Sequence, residues 1–133
     1  MIIQVDRRMN RPFSVMERIA SIKCAGRGVL LMLRSQHNAW IHTVATVAVI
    51  MIGLALGITR LEWCLIVLAC AAVWMAETLN TAFEYLADAA SKEFHPVIGQ
   101  AKDMAAGAVL ITALGAAITG VLVLVPHLIR VIR

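Results

Sequence analysis

Residues 63–88 read WCLIVLACAAVWMAETLNTAFEYLAD. The first fourteen positions, 63–76, are uncharged, and no helix-breaking residue separates them from Glu77 and Asn80. A continuous apolar run of this kind favours a membrane-spanning helix. Ionised carboxylates are rare inside such helices because they cost several kcal/mol unless they are solvated, paired or bound to a metal. Residues 63–88 therefore predict a transmembrane helix that carries working acidic groups.

Two further apolar runs lie on either side of this segment. About twenty apolar residues are needed to cross a bilayer. On this basis the sequence predicts an all-α membrane protein whose three transmembrane helices cover residues 39–59, 61–87 and 104–126. We expect the third helix to stop at Pro126, and residues 88–103 to form a polar loop with Pro96 and Gly99 as breakers.

The overall composition supports this assignment. The chain has 133 residues, of which 61% are hydrophobic and 15% charged, with a mean hydropathy of +0.84. A soluble domain with so few polar residues could not cover its own surface. The length fits a single domain, residues 1–133, and the dominance of apolar residues excludes a disordered chain.

Basic residues concentrate in the N-terminal arm, residues 1–37, which holds seven of the 12 Lys and Arg residues. Apolar and basic positions recur there at helical spacing, which predicts an amphipathic helix on the membrane surface. The arm and the 88–103 loop together carry nine bases against three elsewhere, so both are expected in the cytoplasm. Such an arm beside apolar spans favours anionic lipid headgroups over nucleic acid as its contact.

Polar residues on the middle helix fall on one stripe. At about 100° per residue, Glu77, Glu84 and Asp88 lie almost in line, with Asn80 and Thr81 on either side. A hard cation such as Mg²⁺ binds through one or two carboxylates and phosphate oxygens, which suits Glu84. The deeper Glu77 suits a proton acceptor for a hydroxyl within the membrane. Asp88 fits equally well as a residue that solvates a helix end.

A second polar cluster precedes the third span. We expect Lys102 at a helix N-terminus, where backbone N–H groups and its ammonium group would attract phosphate. A lysine at this boundary also fits a simple topological anchor, and His95 fits an ordinary loop residue. The chain has no GxxxxGK[ST] motif, so any nucleotide binds without a P-loop.

These motifs resemble the prokaryotic diacylglycerol kinase and undecaprenol kinase family. The resemblance rests on the run Glu77-x-x-Asn80-x-Ala82-x-Glu84-x-x-x-Asp88, followed by Glu93-Phe94-His95 and Ala101-Lys102-Asp103-Met104. It implies a homotrimer of three-span subunits with a surface helix, in the bacterial inner membrane, using ATP and Mg²⁺. It also implies that Glu77 is the general base and Glu84 a metal ligand, and that the nucleotide is bound by Asn80, Glu84, Asp88, Glu93, His95, Lys102 and Asp103.

Gln36 marks a departure from the family pattern. Relatives usually place a glutamate there as a second metal ligand, whereas this chain has Ser35-Gln36-His37-Asn38. A neutral amide oxygen still coordinates a hard cation, but the loss of one negative charge should weaken binding.

The favoured function is ATP-dependent phosphorylation of a membrane lipid alcohol, with diacylglycerol as the preferred substrate and undecaprenol as the alternative. A small oligomeric ion- or proton-conducting protein also accounts for Glu77 and Asn80 but leaves Glu93, His95, Lys102 and Asp103 without a role. An assembly or anchoring subunit would need no intramembrane carboxylate. Nucleotide binding by the purified protein separates the kinase from the conducting protein.

Overall fold

The structure, a computed structural model, describes residues 14–91 and 95–133. These residues form four helices: α1 (Val15–Ser35), α2 (His37–Leu56), α3 (Arg60–Ala90) and α4 (Pro96–Ile132). The predicted all-α class is confirmed. Residues 1–13 of the N-terminal arm, and Glu93 of the polar connection, lie outside the described residues.

Helices α2, α3 and α4 are each long and apolar enough to cross a membrane, with 20, 31 and 37 residues. Their outward surfaces are covered by exposed aliphatic side chains, among them Val47, Leu68 and Leu122. Exposure of such apolar surfaces to water is unfavourable, whereas their contact with lipid or with neighbouring helices is favourable. The chain is therefore a multi-pass membrane protein.

Helix α1 differs from these spans in composition, because it carries several charged residues. Glu17 lies in its first turn and Arg34 in its last, so both charges complement the helix dipole. Lys23 and Arg27 are exposed on the same helix. These features agree with the amphipathic helix predicted for this segment, and its location at the membrane surface stays a prediction.

The connection between α2 and α3 consists of residues 57–59. Gly57 has φ of 62° and ends α2 in the left-handed conformation, and the N–H of Ile58 donates to the carbonyl of Gly53 at 3.3 Å. Thr59 then begins α3 through a capping box, in which the Glu62 carboxylate accepts from the Thr59 N–H at 2.7 Å. Local backbone chemistry thus makes a short turn between two membrane spans.

The polar connection is shorter than predicted. Helix α3 continues to Ala90 and α4 already begins at Pro96, so the expectation of a loop over 88–103 was wrong for most of its length. Proline at the first position of a helix needs no N–H partner and has a suitable φ, so Pro96 starts a helix here. Lys102 consequently lies on the seventh residue of α4 and not at its N-terminus.

The end of α4 also differs from the prediction. The helix passes through Pro126 and continues to Ile132. Proline removes one hydrogen-bond donor, but in an apolar environment the remaining backbone groups still gain most from helical pairing. The continued helix brings His127 to Glu62, with 2.9 Å between Nε2 and Oε1. One polar contact therefore joins the end of α4 to the beginning of α3.

Aliphatic contacts close the bundle near this end. Ile58, Ile66 and Val123 are buried together, and Val49, Trp63 and Cys70 pack against them. These side chains come from α2, α3, α4 and the turn between α2 and α3. The interior is small, so most of the apolar surface of the chain faces outward.

Gly57→Ala should destabilise the bundle by about 1 kcal/mol, because alanine tolerates the left-handed conformation poorly. Gly57→Asn should destabilise the bundle less than Gly57→Ala, since asparagine is the usual substitute for glycine at this cap. The midpoint of unfolding in detergent, followed by circular dichroism, measures both. Equal stability of the alanine variant and the wild type would contradict the assigned cap.

Candidate active site

The polar stripe predicted on α3 faces the interior at its deeper end. Glu77 is 0% exposed, Asn80 6% and Thr81 4%. The Thr81 hydroxyl donates to the backbone carbonyl of Glu77 at 2.9 Å. The opposite face of this helix, with Leu79, Phe83 and Leu86, is exposed. Around Glu77, helix α3 therefore directs its polar side chains inward and its apolar side chains outward.

The Glu77 carboxylate is buried without a hydrogen bond. Among the residues that the structure describes, neither of its oxygens has a hydrogen-bond partner, and the same is true of Asn80 Oδ1. His42 on α2 is the nearby basic group, with 3.9 Å between its Nε2 and Glu77 Oε2. Buried polar atoms are normally paired. Unpaired carboxylate and amide oxygens side by side indicate a place where a ligand supplies the missing partners.

Glu77 and Asn80 line a cleft between the three spans. It has a volume of about 250 Å³ and is lined by Asn38, Ile41 and His42 of α2, Glu77 and Asn80 of α3, and Ala106, Val109, Leu110 and Ala113 of α4. A second cleft of about 340 Å³ shares Ile41, His42 and Ala113 with it. Its other lining residues are mostly small or apolar, including Ala116, Ala117 and Gly120. The buried carboxylate thus lies where a polar recess meets an apolar groove.

Glu84 lies two turns further along α3, about 10 Å from Glu77 along the helix axis. Its carboxylate accepts from Gln36 Nε2 at 2.6 Å and from Asn80 Nδ2 at 3.1 Å. The structure therefore brings together Gln36 and Glu84, the two residues predicted to share a metal. Gln36 lies immediately before α2.

The donors around Glu84 fit a magnesium ion that is shared with a phosphate. A carboxylate and an amide oxygen are both hard ligands, and the Gln36 amide presents its oxygen to a cation when its plane turns over. The described segments contain no cluster of three or more His, Cys, Asp or Glu side chains able to hold a metal on their own. That agrees with the usual binding of Mg²⁺ through one or two carboxylates and phosphate oxygens.

The remaining predicted residues lie toward the polar connection. Lys102 Nζ on α4 is 3.0 Å from Asp88 Oδ1 on α3, and both side chains are solvent-accessible. Asp103 and His95 are exposed on the same helix end. The structure joins Asp88 to Lys102, places His95 and Asp103 at the beginning of the same helix as Lys102, and does not describe Glu93.

Sequence reasoning missed three side chains beside Glu77. The imidazole of His42 packs edge-on against Trp74, with 6.3 Å between ring centroids and 71° between the planes. The Trp74 indole in turn donates to Thr46 Oγ1 at 3.1 Å. A signal was present, because His42 and Thr46 are polar residues one helical turn apart within a largely apolar span.

The fold and the site define a small three-span membrane protein with a buried carboxylate at the junction of a polar recess and an apolar groove. Residues 23–124 match the family model described as prokaryotic diacylglycerol kinase. The match covers most of the chain, which therefore belongs to the prokaryotic diacylglycerol kinase family. The predicted family is confirmed, and the protein is a lipid kinase.

Curated relatives carry two substrate names. The chain is 36% identical over 104 residues to an undecaprenol kinase of Bacillus subtilis, covering 78% of this chain and 85% of the relative. It is 36% identical over 111 residues to a diacylglycerol kinase of Synechocystis, covering 83% and 63%. A diacylglycerol kinase of Escherichia coli is 32% identical over 96 residues, covering 67% and 79%. All three matches identify lipid kinases.

Gln36→Glu should make the thermal stability of the protein depend on a divalent cation bound beside Glu84. Two adjacent carboxylates repel, so without divalent cations the variant should melt lower by about 3 to 6 °C, equivalent to about 1 kcal/mol. Added Mg²⁺ should restore the melting temperature of the variant. It should do so at a lower Mg²⁺ concentration than the one that raises the melting temperature of the wild type. Thermal melting with EDTA and with Mg²⁺ measures both effects.

Gln100→Glu, at an exposed position of α4, makes the same chemical change away from this carboxylate and serves as the matched control. It should show no added dependence on Mg²⁺. If Mg²⁺ has no effect on Gln36→Glu, the pair formed by Gln36 and Glu84 does not hold a cation.

Proposed function

We propose that this lipid kinase transfers the γ-phosphoryl group of ATP to the hydroxyl of a membrane lipid alcohol, with diacylglycerol as the preferred substrate and phosphatidic acid as the product. The observation that carries the proposal is the buried, unpartnered carboxylate of Glu77 beside an apolar groove. The groove suits a lipid tail, and the carboxylate suits the hydroxyl at its head.

Glu77 acts as the general base in this mechanism. Phosphoryl transfer asks mainly for alignment of the attacking oxygen and for stabilisation of phosphate charge. The hydroxyl donates a hydrogen bond to a Glu77 oxygen that has no other partner, which both orients the attacking oxygen and receives its proton. The buried position keeps bulk water from competing for the same phosphoryl group.

Glu84 and Gln36 would hold Mg²⁺, which when bound neutralises charge on the nucleotide phosphates. Asn80 lies between Glu77 and Glu84, because it lines the cleft together with Glu77 and donates to Glu84. A substitution of Glu77 or Glu84 is therefore expected to alter the surroundings of the other through Asn80.

The nucleotide binds toward the cytoplasmic end of the stripe in this proposal. Asn80, Glu84, Asp88, Glu93, His95, Lys102 and Asp103 contribute to it. Lys102 exchanges its contact with Asp88 for a phosphate oxygen, which is possible because both side chains reach solvent. The ammonium group of a lysine binds phosphate as a point charge and needs no fixed orientation.

The distribution of bases supports an N-terminus in the cytoplasm of the bacterial inner membrane, where ATP is available. The whole chain, residues 1–133, acts as one domain. We further propose a homotrimer, since the small interior leaves extensive apolar faces on α2, α3 and α4 for contacts between subunits.

Diacylglycerol is preferred because its ester carbonyls accept hydrogen bonds near the reacting hydroxyl. The Asn38 amide lines the Glu77 cleft and offers such a donor, whereas an isoprenoid chain has no acceptor there. Undecaprenol is the second candidate, favoured by the similarity to the Bacillus subtilis undecaprenol kinase.

Glu77→Gln should lower kcat at least about 100-fold, because the amide keeps the shape of the side chain but cannot take the proton. Transfer of label from γ-labelled ATP to lipid measures kcat, and size in detergent reports the oligomer. Glu62→Gln is the matched control, since glutamine also serves in a capping box. A normal kcat of the Glu77→Gln variant would exclude Glu77 as the general base.

Diacylglycerol should exceed undecaprenol in kcat/KM by about tenfold, equivalent to about 1.4 kcal/mol in the transition state. The two lipids are compared at equal mole fractions in the same detergent micelles with saturating ATP and Mg²⁺. A preference for undecaprenol would assign the second candidate. Absence of transfer to both lipids would contradict the proposed function.

A further inference from the structure

The fate of the proton taken up by Glu77 is set by its surroundings. The side chain of Glu77 is 1% exposed, so its carboxyl group cannot exchange protons directly with bulk water. The His42 side chain is 15% exposed, and its Nε2 lies 3.9 Å from Glu77 Oε2. His42 therefore lies beside the buried acid, lines both clefts, and is partly exposed where Glu77 is not.

We propose that His42 returns Glu77 to its carboxylate form after each phosphoryl transfer by accepting its proton and passing it to water. This rests on the proposed function, in which Glu77 is the base. His42 acts through Glu77 and is a positioning and proton-relay residue. Neither the family motifs nor the predicted stripe on α3 includes it.

Other groups around Glu77 do not offer this route. The Asn80 amide is not basic, and both oxygens of Glu84 are occupied by Gln36 and Asn80. The α4 side of the cleft presents Ala106, Val109, Leu110 and Ala113, which do not titrate. The indole of Trp74, packed on the imidazole, is a donor only.

The imidazole of His42 is positioned by Trp74 of the neighbouring helix α3. Thr46 accepts from the Trp74 indole, and Trp74 contacts the edge of the His42 ring. Histidine and threonine are one turn apart on α2, while Trp74 precedes Glu77 by one turn on α3. The relay requires the separation of 3.9 Å between the two side chains to shorten to hydrogen-bond length, about 3 Å, during proton transfer.

One turnover transfers one phosphoryl group to the lipid and one proton to water. The lipid oxygen forms a bond to the γ-phosphorus, the bond from phosphorus to the bridging oxygen breaks, and ADP leaves with that electron pair. The hydroxyl proton moves to Glu77. Glu77 then gives this proton to the lone pair of neutral His42 Nε2, and the imidazolium releases it to water at the cleft mouth. The tautomer with hydrogen on Nδ1 is required.

His42→Gln should lower kcat about 100-fold and change KM for ATP by less than about twofold, because proton transfer is lost while nucleotide contacts remain. His37→Gln is the matched control, an exposed histidine on the same helix. It should retain kcat. Circular dichroism and size in detergent check that all variants keep the fold and the oligomer.

Imidazole rescue separates a proton relay from a structural role. In His42→Ala, added imidazole should raise kcat in proportion to the concentration of the neutral base, and it should not do so in Glu77→Gln. Failure of imidazole to restore His42→Ala, or normal kcat in His42→Gln, would overturn the relay. If Glu77→Gln remains inactive in that case, the proposed function stands without it.

Discussion

Burial of the Glu77 carboxylate among apolar helices is the constraint on which the rest of the structure depends. An ionised carboxylate inside a membrane span costs several kcal/mol unless it is solvated, paired or bound to a metal. The bundle does not satisfy it with a hydrogen bond from the described residues. Glu77 lines a cleft between the three spans, so the group is held ready for a ligand.

Helix α3 combines a membrane span with a polar site because its polarity changes along its length. Ile66 and Val73 are buried apolar residues in its first half, whereas Glu77, Asn80 and Glu84 follow in the second. A rise of about 1.5 Å per residue turns this order into depth in the membrane. The lipid hydroxyl and the nucleotide phosphates of the proposed reaction approach from opposite directions along the same helix.

The two prolines show where sequence reasoning was limited. Pro96 and Pro126 were both interpreted as breaks, yet one starts α4 and the other lies inside it. Proline excludes a hydrogen-bond donor at one position but does not decide on which side of it a helix continues. That depends on the apolar environment and on contacts such as the one between His127 and Glu62.

Hydropathy and helical periodicity by themselves determined the three spans and the stripe of Glu77, Asn80 and Thr81, and the resemblance of the sequence motifs indicated the family. The partners of that stripe were decided only by the tertiary structure. Gln36 meets Glu84, and His42 meets Glu77, although the two residues of each pair are more than thirty positions apart in the chain. Periodicity orders the residues around one helix, whereas the rotation of α2 against α3 is set by side-chain packing between them.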